Sequence, residues 1–197
     1  IKRADVKIYQ EKNIEIASDE GKELVKKYNM DFVPTLILSK DAAVYGIVQQ
    51  AWPGIGTKES DGSYVMRVPN PPFVNLTTGK LRGLVNVVYL ADKGCAECYD
   101  VSQHKEILSS SFGLKPEKEE TLDISDAKGK ELLSKYNITK VPTVILSDEI
   151  SVYPGTQALR EFFSVEKDGY YVFRSQVVGA YKDLSANKVV QLQQAGQ

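Results

Sequence analysis

The sequence predicts an α/β chain made of two tandem units, each a mixed central sheet with helices on both faces, the first truncated at its N-terminal side. Three observations predict it: an internal repeat, β-branched runs alternating with helix-period segments, and a proline entering a strand at matching places in both halves. Residues 14–45 (IEIASDEGKELVKKYNMDFVPTLILSKDAAVY) align without gaps on residues 122–153 (LDISDAKGKELLSKYNITKVPTVILSDEISVY), with 16 identities in 32 positions. The shift of 108 continues, with a one-residue slip, from DGSYVMR (61–67) to DGYYVFR (168–174). It then pairs Phe73, Leu76 and Lys80 with Tyr181, Leu184 and Lys188. A period that long describes whole domains, not a solenoid. The expected boundaries are 1–82 for an incomplete unit without a CxxC pair and 83–197 for a unit that carries one.

The element order follows from the second unit. Residues 84–91 (LVNVVYLA) form a short β-branched run expected to be a central strand buried on both faces. Cys95 follows, and the apolar positions Cys98, Val101, Ile107 and Leu108 predict a helix that begins at the cysteines and stops near Gly113. Residues 119–125 alternate and read as a second strand. Asp126 is a candidate cap for the helix AKGKELLSKY, and Asn137 tolerates the left-handed backbone needed at its end. Gly21 and Gly129, at matched positions, read as close packing of this helix or an N-terminal turn. Residues 143–146 and 150–153 are expected to form a hairpin, TQALREFFSVEK a helix, and DGYYVFR a further strand. Trp52, the sole tryptophan, reads as a core or cap residue, with an exposed contact patch as the other option.

Composition excludes several classes. With 25 Lys and Arg against 26 Asp and Glu there is no basic footprint for nucleic acid and no polybasic membrane patch. No apolar run approaches the roughly 18 residues of a membrane-spanning helix. The chain begins at Ile1 without Met and closes in QLQQAGQ, so a longer parent chain is expected, whose upstream residues could hold a further CxxC, an export signal or a membrane anchor. The compartment therefore stays open. Two cysteines at CxxC spacing are too few for a disulfide framework and suit a redox pair or half a metal site. His104 completes C-x2-C-x5-H, but no fourth ligand is evident, and it reads as a surface or half-buried helix residue; neither metal nor cofactor is expected.

CAEC after the first strand, KYNITKVPTVILS some 40 residues on, and a hairpin directly after it resemble the thioredoxin family, with KYNMDFVPT as the counterpart in the first unit. The resemblance covers residues 84–163 and, in the truncated unit, residues 14–56. It implies tandem thioredoxin-like domains, with Cys95 the exposed attacking sulfur and Cys98 the buried resolving one. It also implies cis-Pro142, cis-Pro34 in the first unit, and substrate contact through Val141, Pro142 and Thr143, the Val141 backbone being free to pair with an extended substrate. The sequence departs from that family at Gly94, at Ala96 and Glu97, and at Tyr89, which stands where the family has a buried Asp.

Thiol–disulfide exchange needs a thiolate, a nearby partner thiol and access for a substrate disulfide. A helix N-terminus at Cys95 and the charge of Lys93 would favour the thiolate, whereas Asp92, Glu97 and Asp100 oppose it. The expected function is thiol–disulfide oxidoreduction on protein or small-molecule thiols and disulfides. The competing expectations are a non-catalytic binding or scaffold protein with a structural disulfide, and a redox sensor. The DGxYVxR strands could pair within their own sheets or join the two units.

Overall fold

The computed structural model describes residues 6–175 and 179–191, so the chain ends, on which the expectation of a longer parent chain falls, lie outside the described residues. The chain divides into two compact units, 1–82 and 83–197.

In unit 1, Ser18 accepts a hydrogen bond from Gly21 N–H at 3.0 Å and opens helix α1 (Asp19–Tyr28), which carries Asp19 and Glu20 in its first turn and Lys26 and Lys27 in its last. That charge order complements the helix dipole. Asn29 ends it in the left-handed conformation, φ 46°. There follow β1 (Phe32–Val33), β2 (Ile37–Leu38), a 3-10 turn (Lys40–Val44), α2 (Gly46–Ala51), β3 (Gly56–Lys58), β4 (Tyr64–Met66), β5 (Phe73–Asn75) and β6 (Leu81–Arg82). Two small antiparallel sheets result, ordered β2-β4-β3 and β1-β5-β6. Trp52 is a core residue, 4% exposed, with its ring edge-on to Tyr64 and its N–H donated to Thr57 O.

Unit 2 contains β7 (Asn86–Ala91), α3 (Gln103–Phe112), β8 (Lys118–Asp123), α4 (Ala127–Lys135), β9 (Lys140–Val141), β10 (Thr143–Leu146), a 3-10 turn (Asp148–Val152), α5 (Thr156–Leu159), β11 (Phe163–Val165), β12 (Tyr171–Phe173), β13 (Tyr181–Asp183) and β14 (Lys188–Val190). The main sheet is ordered β11-β12-β10-β7-β8. β7 and β8 are parallel, and β10 is antiparallel to both β7 and β12. A second sheet, β14-β13-β9, repeats β6-β5-β1 of unit 1 in the same register: Val141 faces Lys182 as Val33 faces Val74. The result is a mixed α/β chain with four sheets and five α-helices among the described residues. None of its helices is long and apolar enough to cross a membrane.

Several sequence-based expectations change. β7 lies inside the sheet, paired on both sides, but one place from the middle, which β10 occupies. Residues 150–153 do not form a strand against β10. Glu149 instead accepts from Gly83 N–H at 2.5 Å, Tyr153 donates to Gly83 O at 3.0 Å, and Thr156 donates to Ile150 O at 2.8 Å, ties that curl the segment into the 3-10 turn. The strand beside β10 is β12, from the DGYYVFR motif, so this motif pairs within its own sheet in both units. The helix expected over residues 156–167 is a single turn, since residues 163–165 pair with β12. Asp126 flanks α4 without capping it; its carboxylate accepts from Asp123 N–H instead.

The matched glycines mark a close approach. A Cβ on Gly129 would lie 2.0 Å from Asp123 O, and one on Gly21 would lie 2.2 Å from Glu15 O. Each helix is therefore seated directly on the backbone that precedes it.

Candidate functional site

The turn after β7 holds the two cysteines, joined as a disulfide with Cα atoms 5.4 Å apart. Asp92 starts the turn: its carbonyl accepts from Cys95 N–H and its carboxylate from Gly94 N–H at 2.8 Å. Cys98 N–H returns to Cys95 O at 3.2 Å, and both cysteines are half-buried, with Ala96 and Glu97 exposed between them. Cys98 is thus less enclosed than the resemblance implied.

The cysteines do not open a helix, because α3 starts only at Gln103. The reason is a competing bond: Tyr99 N–H donates to Ala180 O at 2.8 Å, which removes the donor a helical turn would send back to Cys95 O. The Asp100 carboxylate then accepts from Ser102 N–H at 2.8 Å, and that bond holds its own pKa down. Stabilisation of a Cys95 thiolate by a helix N-terminus is accordingly absent.

The sulfurs sit beside the loop between β9 and β10. Cys98 Sγ lies 4.0 Å from Val141 O, and the Val141–Pro142 bond is cis, as is Val33–Pro34 in unit 1. Tyr99 ties the two segments together by donating its hydroxyl to Pro142 O at 3.0 Å. The same hydroxyl oxygen lies 2.9 Å from His104 Nε2. With the tyrosine proton committed to Pro142, Nε2 carries a hydrogen and donates it to the Tyr99 oxygen. His104 is fully inside, 3% exposed and edge-on to Phe173 at 4.5 Å, which corrects the surface or half-buried placement expected for it. Burial pushes its pKa down to about 4 and pushes that of Tyr99 up.

Val141 is 0% exposed, Pro142 is buried, and Thr143 is 1% exposed with its hydroxyl donated to Phe173 O at 2.7 Å. The Val141 strand position is filled by the chain itself, through β13. The same segment reaches the disulfide turn at two further points. Lys182 pairs with the largely buried Asp92 at 2.6 Å, and Gln191 donates to Glu97 at 3.2 Å. Lys93, exposed, uses its backbone N–H on Asp123, whose carboxyl is held down to about 2 by the Ser125 hydroxyl first and by this N–H second.

Tyr99 and Lys182 were not singled out by sequence as members of the site, and His104 was considered there only as a metal ligand. A signal existed for Lys182: its repeat counterpart is Val74, so a charge appears only in the unit that carries the cysteines. Tyr89, at the place of a buried acid in the resembling family, is a 5%-exposed core residue that donates to Glu119 at 2.9 Å. The described residues contain no group of three or more His, Cys, Asp or Glu side chains able to hold a metal ion. Comparison with known proteins finds no matching family model, no matching curated protein and no matching solved structure.

Proposed function

We propose that unit 2 is a thioredoxin-like domain and that its Cys95–Cys98 pair performs thiol–disulfide exchange. The observation that carries this reading is the juxtaposition of the disulfide with the Val141–Pro142 bend, Cys98 Sγ lying 4.0 Å from Val141 O. Support also comes from β10 pairing antiparallel with β7 and β7 pairing parallel with β8, so that the strand entered from the Val141–Pro142 bend and the strand leading to the cysteines are neighbours in one sheet.

In the reduced protein, the Cys95 thiolate attacks a substrate disulfide, forming a mixed disulfide and releasing one substrate thiolate, which takes up a proton. Cys98 then gives up its proton and attacks Cys95 Sγ, closing the protein disulfide and releasing the second substrate thiol. Two electrons pass from protein to substrate, and the reverse sequence oxidises a substrate dithiol. Substrate approaches from the side of exposed Ala96 and Glu97, since β13 occupies the Val141 edge. Replacement Cys95→Ser is expected to abolish reduction of insulin or of a model disulfide peptide. Unchanged turnover in that variant would sink the reading.

A second reading, a binding unit or sensor whose disulfide is structural, is favoured by one specific observation: the edge where a substrate strand would pair is already filled. The reduction potential separates the two. A value near those of cellular thiol buffers fits exchange, and one well below about −300 mV fits a structural bond.

A further inference from the structure

The two units can be compared position by position at the strand that meets the cis-proline bend. Residues 71–82 align on 179–190 at the shift of 108, and both copies build the same pair of strands, β5-β6 and β13-β14. Left-handed residues, Gly79 and Asn187, stand at matched places between the strands. Three differences fall where unit 2 meets its disulfide turn: Pro71 becomes Gly179, Pro72 becomes Ala180 and Val74 becomes Lys182. Gly179 has φ 129°, and a Cβ there would lie 3.1 Å from Tyr99 Cβ, so glycine lets this backbone close on the turn. Ala180 O then accepts from Tyr99 N–H at 2.8 Å. Lys182 stands opposite Val141 in the strand register and reaches Asp92 at 2.6 Å.

The charged side chains around the turn are Asp92, Lys93, Glu97 and Asp100 on the turn itself, Asp123 at the end of β8, and Lys182 on β13. Asp100 accepts from Ser102 N–H, Asp123 from the backbone of Lys93 and Ser125, and Glu97 from the neutral amide of Gln191. The buried Tyr99 and His104 beside the bend both stay uncharged near neutral pH, since burial pushes the first up and the second down to about 4. Lys182 is thus the one cation paired with an acid of the turn among the described residues. Its side chain is 24% exposed and that of Asp92 11%, so salt screens the pair far less than a surface contact. Asp92 also shapes the turn. One carboxylate oxygen takes Lys182, the other takes Gly94 N–H at 2.8 Å, and the Asp92 carbonyl takes Cys95 N–H at 3.0 Å. Left unpaired, this carboxylate would oppose the charge of a Cys95 thiolate.

We propose that Lys182 is a positioning residue for the thiol chemistry of Cys95: by holding the Asp92 carboxylate it offsets an acid of the turn and fixes the backbone from which the sulfur attacks. The inference rests on the exchange reading of the cysteines.

The test reduces the full chain carrying Cys98→Ser, so that Cys95 is the sole thiol, and follows alkylation by iodoacetamide as a function of pH. The Cys95 thiolate displaces iodide, so the rate reports the thiolate directly. Lys182→Met is expected to slow alkylation near neutral pH about tenfold and to move the midpoint of the profile up by about one pH unit. Lys182→Arg is expected to stay near the parent profile. So is Asp92→Asn combined with Lys182→Met, since neither variant leaves a carboxylate unpaired. Asp92→Asn alone, which keeps the acceptor for Gly94 N–H, is expected to speed alkylation, and it tests the charge even if Lys182→Met fails to fold. An unchanged profile in Lys182→Met, a double variant as slow as Lys182→Met, or slower alkylation in Asp92→Asn overturns the proposal. Alkylation needs no substrate disulfide, so loss of the exchange reading shows in the turnover of the parent chain, and loss of this one in the alkylation profiles.

Discussion

His104 shows how one buried side chain sets a pH response. Its pKa in the folded chain lies at about 4, against an ordinary value near 6.5, because burial disfavours the charged ring. The unfolded state therefore binds the proton more readily. The contribution of the neutral ring is whole above about pH 6.5 and is lost as pH falls toward 4, up to about 3 kcal/mol in all. Urea unfolding of His104→Gln across this range is expected to show a flatter pH dependence than the parent chain. An unchanged slope would place the titration elsewhere. Asp123, held down to about 2 by its bonds to Ser125 and Lys93, adds a separate loss only at lower pH. None of this was legible from the sequence, where a lone histidine within an expected helix reads as a surface or half-buried group. Its burial is created by Phe173, 69 positions away in the numbering.

At the scale of elements, the repeated DGxYVxR motif acts as a latch between a hairpin and a helix end. In unit 2 Asp168 accepts from Tyr136 OH at 3.0 Å and pairs with Lys135 at 2.9 Å, while Arg174 donates to Tyr136 O at 2.6 Å and pairs with Glu166 at 3.0 Å. Unit 1 repeats the set with Asp61, Tyr28, Lys27, Arg67 and Glu59. The arginine satisfies a carbonyl that the end of the helix leaves without an intrahelical donor. Its removal in Arg174→Ala is expected to cost about 2 kcal/mol, read as a lower urea midpoint. Gly129→Ala tests the seat of α4, where the new methyl would meet Asp123 O at 2.0 Å. A loss of about 1–3 kcal/mol is expected, and an unchanged midpoint would show that the helix can shift. The repeat announced that these residues matter together. Their partners could not be read, because the bonds join positions some 30 to 40 residues apart.

Across the whole chain, the units differ in how much core they enclose. Among the described residues, unit 2 has clusters of fourteen and six buried residues, spanning both faces of its main sheet, whereas the cluster in unit 1 has four. Burial of apolar surface is the main favourable term in folding. Prepared separately, residues 83–197 are therefore expected to unfold cooperatively and at a higher urea concentration than residues 1–82. Equal midpoints would contradict this account of the two cores.

By itself the sequence determined the tandem repeat, the mixed α/β character, the left-handed asparagine at 137 and the cysteine spacing that permits a disulfide. Those properties depend on local backbone preference or on side-chain pattern within a few residues. Only the tertiary structure decided that the cysteines sit in a turn and not at the start of a helix, because a carbonyl from residue 180 claims the N–H of Tyr99. It likewise decided that β12 lies beside β10 and that β13 fills the edge at Val141. In each case the outcome rests on which of several equivalent backbone donors and acceptors meet, and that is settled by distant segments packing together, not by the residues next in line.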